Sequence, residues 1–269
     1  MQLVTEVKTI KSVIRCRYHS WCYSTKGKLI STPHVGGPDY NTHPNIVKEE
    51  MGLNGVRCHV WRDIVFINIT GNAPESTEVH EDLIARWSEL DCLIYHGGPD
   101  SKFEIELNAN YTLAVENYCE SYHLPWVHPG LNSYSRLDDH YNIVKYGKYS
   151  GQGTLVYQQF RAEDGSAAFP DFPNLSEQWN EGAEYITLYP NVLLGVQRDH
   201  AFAIILEPKA HNKTVEHIHF YYAVEAIDPR NRSVTPSNGM RCLRKTSLSC
   251  KACSPVATHP LLTVDVSAL

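Results

Sequence analysis

The chain has 269 residues, of which 42% are hydrophobic and 20% charged, and its formal net charge is −6 with a pI of about 6.1. This length and composition are typical of a globular protein with one large domain or two modest ones. No stretch is dominated by Lys and Arg, which argues against a nucleic-acid partner. No apolar run approaches the roughly 18 residues that span a bilayer, and residues 1–11 lack a signal-peptide core. We therefore expect a cytoplasmic protein with no membrane partner.

The predicted elements change along the chain from β to a mixture of helices and strands. Up to about Thr70 the pattern is β, and it includes the β-branched run at 64–69. Residues 78–90 are predicted to be helical, 103–107 to form a strand, and 112–122 to form a helix that runs into Pro125. Further strands are predicted at 155–157, 185–189, 192–196, 202–206 and 215–224, with a loop at 162–181. This order predicts an α+β fold with a small β domain, followed by a curved antiparallel sheet and covering helices.

Cys16 and His19 are the first candidate metal ligands, in the string Cys16-Arg17-Tyr18-His19-Ser20-Trp21-Cys22-Tyr23. A thiolate and an imidazole three residues apart on a tight loop can reach one metal or cluster. Rieske [2Fe–2S] centres use two Cys on one iron and two His on the other. The alternative is a core thiol beside a surface imidazole. The Trp21 and Tyr23 that follow favour the metal interpretation.

The most specific string of the chain runs from Glu116 to His128 and contains two histidines, His123 and His128. Two residues five apart on an ideal helix point about 140° away from each other. Pro125 lies between them and removes a helical hydrogen bond, so a kink or a helix end there can turn His128 back toward His123. Two imidazoles and a carboxylate with open positions form the facial triad of non-haem Fe(II) oxygenases.

Two other interpretations of the histidine pair remain open. The pair can be a helix end whose polar histidines pack against Trp126. It can also belong to a zinc hydrolase, because zinc too is bound by two imidazoles and a carboxylate.

The string resembles the iron-binding segment in the α subunits of Rieske-type non-haem iron oxygenases. The resemblance implies that His123 and His128 ligate a mononuclear Fe(II) and that Asn117 is a polar residue near it. It also implies that Glu120 is the carboxylate that bridges to a cluster-ligand histidine of the neighbouring subunit. Many ring-hydroxylating members have Asp at this bridging position. In having Glu there, the chain resembles the branch of the family that acts on quaternary amines.

The loop at Cys16 and His19 resembles the second ligand loop of the Rieske [2Fe–2S] domain. On this resemblance, residues 1–72 are a partial Rieske domain, and residues 73–239 an incomplete, helix-grip-like catalytic domain. Only half of the cluster ligands are present, because no Cys-x-His loop precedes Cys16. We therefore expect the natural protein to begin further upstream. When intact it is expected to be a homotrimer that takes electrons from a reductase or ferredoxin and uses O2 on a small organic substrate.

Residues 240–269 differ from the family. The third iron ligand, an Asp, is expected after Asp228, but the family's segment is absent there and Cys250-x-x-Cys253 appears instead. That cysteine pair is a weak metal pattern, since no second pair accompanies it. Permitted codons from Met240 onward, read from the third base, can encode Glu-Asp-Ile-Ser-Val-Val-Gln-Gly-Met-Gln, which resembles the missing segment. We therefore expect an out-of-frame tail.

The leading functional interpretation is the terminal oxygenase component of a Rieske system. Its reaction would be O2-dependent hydroxylation, or hydroxylation-driven demethylation, of an aromatic compound or a methylated or quaternary amine. A second interpretation is an inactive fragment that retains only a ligand-binding cavity. The third is the zinc hydrolase.

Overall fold

The computed structural model describes residues 3–6, 8–92, 94–162 and 164–225. The segment expected to be out of frame, 240–269 with Cys250 and Cys253, lies outside these ranges. The chain divides into a compact unit that ends at Glu78 and another that begins at Val79. Among the described residues, no helix is both long and apolar enough to cross a membrane.

The first unit consists of short antiparallel strands. Strands β1 (Val13–Arg15), β2 (Cys22–Ser24) and β3 (Leu29–Ser31) form one sheet, and β4 (Arg57–Trp61) and β5 (Ile64–Asn68) form a separate hairpin. Gly27 lies in the turn between β2 and β3 with a φ of 80°. Glycine reaches this left-handed conformation without the penalty that a Cβ would impose. The β character predicted for this part of the chain is confirmed.

The second unit is built on an eight-stranded antiparallel sheet. Its strands are β6 (Tyr95–His96), β7 (Lys102–Leu107), β8 (His140–Lys145), β9 (Tyr149–Thr154), β10 (Ala183–Leu188), β11 (Val192–Val196), β12 (His200–Ala210) and β13 (Lys213–Tyr222). They are ordered β6-β13-β12-β11-β10-β9-β8, and β7 also pairs with β13.

The helices are α1 (Ser76–Arg86), α2 (Tyr111–Cys119), α3 (Leu124–Val127) and α4 (Pro129–Asn132), joined by short 3₁₀ turns at Ser88–Leu90, Pro99–Ser101, Leu137–Asp139 and Glu177–Trp179. Asn110 caps α2: its side chain accepts a hydrogen bond from the backbone N–H of Thr112 at 3.0 Å. The Asn110 amide also donates to the carbonyl of His211 at 2.8 Å. This cap satisfies one of the free N–H groups of the helix and fixes its start beside the turn between β12 and β13.

One face of the sheet, which we call the inner face, packs against α2. Strand β13 shows the alternation that creates it, because every second residue from Thr214 to Tyr222 is buried. The core on this face contains Leu107, Leu193, Ile204, Leu206, Ile218, Phe220 and Tyr222, with Leu113, Val115 and Tyr118 of α2 packed against it. Each such buried side chain contributes about 1.5–3 kcal/mol. The packing of α2 on the sheet therefore contributes to the stability of this unit.

The opposite, outer face meets the end of α1. Glu184 of β10 accepts hydrogen bonds from Nε of Arg86 at 2.8 Å and from Nη2 at 2.7 Å. It also accepts from Nε1 of Trp87 at 2.7 Å and from the hydroxyl of Tyr141 at 2.9 Å. The sheet thus lies between two helices, as the predicted α+β fold with a curved antiparallel sheet requires.

The strand predicted at 155–157 is wrong, because the strand of this region is β9 and ends at Thr154. Strand β9 is rich in glycine, and packing explains why. A Cβ on Gly151 would lie 2.0 Å from the carbonyl oxygen of Tyr185, and one on Gly153 would lie 2.2 Å from the ring of Tyr141. Glycine therefore permits close approach of the neighbouring strands. Because glycine has no apolar side chain, the same residues weaken the pattern by which a strand is predicted.

Candidate metal centre

Helix α2 ends earlier than the sequence predicts. The helix was expected to reach Tyr122, but it stops at Cys119, and Glu120 is extended with φ −129° and ψ 157°. The side chain of Gln152, on β9, donates hydrogen bonds to the carbonyls of Tyr118 at 3.1 Å and Glu120 at 2.9 Å. These are carbonyls that a helix end leaves without a partner. The sheet therefore stabilises the point at which the helix ends.

His123 and His128 are brought together by the short helix α3, which they flank at its start and its end. Pro125 lies in the first turn of α3, where its missing N–H is not needed. Proline therefore begins a helical turn here and does not kink a longer helix. The two imidazole rings lie 5.2 Å apart between centroids at an angle of 70°. His128 is 5% exposed, so the pair faces the interior of the unit.

Glu120 orients His123. Its Oε1 lies 2.5 Å from Nδ1 of His123, and its Oε2 accepts the backbone N–H of His123 at 3.2 Å. A carboxylate beside Nδ1 favours the tautomer with the proton on Nδ1, which leaves the Nε2 lone pair for a metal. The Glu120 side chain is 41% exposed, so the carboxylate that holds His123 also reaches the surface.

A second histidine network, not predicted from the sequence, supports this arrangement. Nδ1 of His140 lies 3.2 Å from Oε1 of Gln152, and Nε2 lies 3.0 Å from the hydroxyl of Ser135. Since the Gln152 oxygen can only accept, Nδ1 of His140 carries a proton and Nε2 accepts from Ser135. Burial lowers the pKa of His140, which favours this neutral form. The network holds Gln152 and, through it, the backbone at Glu120.

The end of α2 is attached to the sheet at two further points. The thiol of Cys119 lies 3.2 Å from the hydroxyls of both Ser150 and Thr187. The hydroxyl of Tyr118 donates to the carbonyl of Leu194 at 2.8 Å, and burial raises its pKa well above the ordinary value. These contacts fix the segment that leads into the histidine pair.

The other predicted site residues are separate from this network. Asn117 lies half-buried on α2, and none of the hydrogen bonds that hold Glu120 and His123 involves it. Cys16 lies directly after β1 and is 7% exposed, and its sulfur accepts the N–H of Tyr18 at 3.4 Å. His19 is exposed, with its ring 3.9 Å from that of Tyr18. Cys16 also lines a groove of about 430 Å³ in the first unit.

The residues described here fit the two implied metal groups to different degrees. His123, with its Nδ1 held by a carboxylate, and the buried His128 suit two ligands of a mononuclear iron. Cys16 and His19 offer one thiolate and one imidazole, where a Rieske cluster needs two of each. Across the described ranges, no group of three or more His, Cys, Asp or Glu side chains forms a metal site. Among the described residues, the two histidines therefore suit part of an iron site, whereas Cys16 and His19 do not fit a complete cluster.

The signals for Gln152 and His140 were present in the sequence but weak. Both are polar residues that the sheet partly or fully buries. Gln152 lies between two glycines, Gly151 and Gly153, and these residues lack the apolar side chains by which a strand is predicted. A period-two reading of that strand would have indicated a polar side chain on a buried face.

Comparison with known proteins gives consistent results. Residues 97–242, more than half of the chain, match the family model described as the ring hydroxylating alpha subunit (catalytic domain). The chain is 29% identical to choline monooxygenase of Arabidopsis thaliana, over 68% of the chain and 42% of that protein. It is 27% identical to putrescine 2-hydroxylase of Ralstonia nicotianae, over 80% of the chain and 55% of that protein.

Among solved structures, the fold matches the quaternary ammonium Rieske monooxygenase CntA in complex with an inhibitor. The TM-score is 0.74 at 17% identity, and the match covers 96% of the chain and 66% of that structure. At this identity the likeness concerns the fold. The chain spans about half the length of the curated relatives it matches.

Proposed function

The chain belongs to the ring-hydroxylating α-subunit family of Rieske-type oxygenases, and from this premise we propose that it is the catalytic part of a terminal oxygenase. The reaction is O2-dependent hydroxylation of an aromatic compound or a methylated or quaternary amine, with demethylation where an N- or O-methyl group is hydroxylated. The observation that carries this proposal is the pair of His123 and His128, with Glu120 on Nδ1 of His123.

In this proposal, Nε2 of His123 and the imidazole of His128 hold a ferrous ion. The ion would supply the activation of O2 that no protein side chain provides. Glu120 keeps the His123 ring in one orientation and one tautomer. His140 and Gln152 fix the backbone from which Glu120 projects. These residues therefore act as the support that keeps the ligands in place.

The exposed part of Glu120 suits contact with a neighbouring subunit. A carboxylate that holds an iron ligand and also reaches the surface can accept a hydrogen bond from a histidine of another chain. Together with the resemblance described above, this supports a ring-shaped homotrimer that receives electrons from a reductase or ferredoxin. Two relatives, choline monooxygenase and putrescine 2-hydroxylase, are named for amine substrates, which supports an amine substrate for this chain.

Peroxide-driven turnover tests this function without any electron donor. Hydrogen peroxide supplies both the oxygen atom and the oxidising equivalents: R–H and H2O2 give R–OH and H2O. The full 269-residue chain is loaded with ferrous iron and offered choline, carnitine, putrescine and anthranilate with isotopically labelled peroxide. Products are identified by mass spectrometry. We expect labelled product from at least one compound, and its loss in His123→Ala and His128→Ala.

His217→Ala is the matched control, because His217 lies on the outer face between Glu104 and Glu207. That variant should retain turnover. Equal absence of product from the wild type and all variants would contradict the proposal and favour the inactive fragment. If the zinc-loaded chain hydrolyses an ester and the iron-loaded chain forms no product with peroxide, the zinc hydrolase is favoured.

A further inference from the structure

The first unit carries a concentration of positive charge that the proposed iron site does not use. Residues 1–31 contain six basic residues and one acidic residue, a net charge of +5, whereas the whole chain carries −6. The remaining residues therefore carry −11. The six basic residues are all exposed, and they are Lys8, Lys11, Arg15, Arg17, Lys26 and Lys28. Such a contrast within one chain produces a local positive potential that attracts anionic partners.

A groove of about 430 Å³ lies within this positive surface. Its lining combines Lys8, Arg15 and Arg17 with apolar side chains, of which Val13 is 42% exposed. Tyr18, the residue after Arg17, is 73% exposed. Arginine and aromatic side chains are enriched in protein interfaces relative to the rest of the surface. The groove therefore suits a protein surface on which acidic residues surround an apolar centre.

The basic side chains around the groove are available to a partner. In the part of the first unit that the structure describes, their one ion pair joins Lys8 to Glu6 at 3.1 Å, and both side chains are exposed. An exposed pair of this kind contributes only about 0–1 kcal/mol, so Lys8 can exchange it for another carboxylate. Nη2 of Arg15 donates to the hydroxyl of Ser20 at 2.9 Å. This bond holds the guanidinium group in place, which lowers the entropy lost on binding.

The charge of the rest of the chain favours a protein over other anionic partners. Nucleic acids and anionic membranes carry negative charge over extended surfaces, which the −11 of the remaining residues repels. A protein can confine its acidic residues to one patch that meets the groove alone. The negative remainder then disfavours every other orientation of that partner.

The position of the groove indicates which protein this is. Cys16 lines the groove, and so do Arg15 and Arg17, which precede and follow it in the chain. The loop of Cys16 and His19 is the one that resembles the electron-receiving part of an oxygenase. A protein bound in the groove lies against this loop, as an electron donor has to.

We propose that the groove and its basic rim form the docking surface for an acidic electron-transfer protein, the donor of the proposed oxygenase. This inference rests on the proposed function, because it names the surface through which the partner of that enzyme binds. Lys8, Arg15 and Arg17 pair with carboxylates of the donor, and the apolar lining packs against its surface.

Binding of a purified acidic [2Fe–2S] ferredoxin to the full 269-residue chain tests the inference by biolayer interferometry. Lys8→Gln combined with Arg17→Gln should weaken binding about fivefold or more at about 50 mM salt, mainly through slower association. At about 500 mM salt the difference should largely disappear, because the charges are screened. Lys209→Gln combined with Lys213→Gln removes the same charge from exposed positions beside the turn between β12 and β13. This control pair should retain binding.

Three outcomes would overturn the inference once circular dichroism has established that the variants are folded. They are absence of ferredoxin binding to the wild type at low salt, an equal loss in the control pair, and equal or tighter binding of a single-stranded oligonucleotide or of phosphatidylserine vesicles. Peroxide turnover needs no electron donor, so ferredoxin binding without turnover would refute the proposed function alone. Turnover without ferredoxin binding that depends on the groove would refute the docking surface alone.

Discussion

Two glutamates are buried on opposite faces of the same sheet, and their surroundings differ completely. Glu184 on the outer face is 7% exposed and accepts four hydrogen bonds, from Arg86, Trp87 and Tyr141. Glu216 on the inner face is 3% exposed and accepts none from the described residues. The first carboxylate holds a helix against the sheet, and the second lies in an apolar layer.

The difference separates a buried charge that stabilises the fold from one that destabilises it. A paired buried carboxylate is needed by the partners it satisfies, so its loss leaves their donors without acceptors. An unpaired one makes the protein less stable, because its desolvation is not offset by a hydrogen bond or an ion pair. The outer face is therefore where mutations should destabilise the fold. On the inner face, removal of the unpaired carboxyl group should instead stabilise the fold at high pH.

Glu184→Ala should produce the largest loss of stability. It removes the acceptor of all four hydrogen bonds, including the one from the buried indole N–H of Trp87. We expect the free energy of unfolding to fall by about 3 kcal/mol, a value near the low end for buried ion pairs, because Arg86 is 37% exposed. Urea denaturation followed by circular dichroism measures it. A loss below about 1 kcal/mol would mean that the pairing contributes little.

Glu216→Gln should have the opposite sign. An acid whose pKa is about 7 when folded and near 4.5 otherwise binds more protons when folded, so stability falls as the pH rises through this range. Glutamine removes that loss. The free energy of unfolding of the variant minus that of the wild type should be about 2 kcal/mol larger at pH 8 than at pH 5.

Urea denaturation at the two pH values measures this gain, with Glu106→Gln as the exposed control that should show no such gain. If Glu216→Gln were equally or less stable than the wild type at pH 8, an unrecognised partner would have to stabilise the carboxylate.

Gln152→Leu should weaken the iron site more than the fold. Leucine leaves two carbonyls at the end of α2 without their donor, which costs roughly 1–2 kcal/mol of stability. Because Glu120 then loses its fixed backbone, the affinity for ferrous iron should fall about tenfold. Anaerobic equilibrium dialysis measures the affinity, and unchanged iron binding in a folded variant would exclude a positioning role.

Tyr141→Phe should have the smallest effect. It removes one of the four donors to Glu184 and leaves the two from Arg86 and the one from Trp87. The expected loss is about 1 kcal/mol, the typical contribution of one hydrogen bond. A loss as large as that of Glu184→Ala would show that the tyrosine, and not the ion pair, holds the outer face.

The sequence predicted the elements whose signals are local. The strands at 192–196 and 202–206 are apolar and β-branched, and they lie within β11 and β12. Strands β8 and β9 were missed, since one mixes charged with apolar residues and the other is mostly glycine and polar side chains. Their pairing depends on neighbours far along the chain, which periodicity does not report.

The candidate site shows the same division. The motif from Glu116 to His128 predicted which histidines approach each other, and the structure brings their rings within 5.2 Å. It did not predict where α2 ends, because the side chain that caps the helix, Gln152, belongs to a distant strand. Glu216 lay inside a predicted strand, yet its isolation on the inner face depends on partners from other strands.

The claim that this segment is an iron site is tested most directly by the iron content of the full chain. The wild type, His123→Ala, His128→Ala and the control His217→Ala are loaded anaerobically with ferrous iron, desalted and analysed for metal. The wild type and the control should retain equal amounts of iron, and both site variants should retain little. Iron retained equally by all four proteins, or by none, would contradict the assignment of His123 and His128 as its ligands.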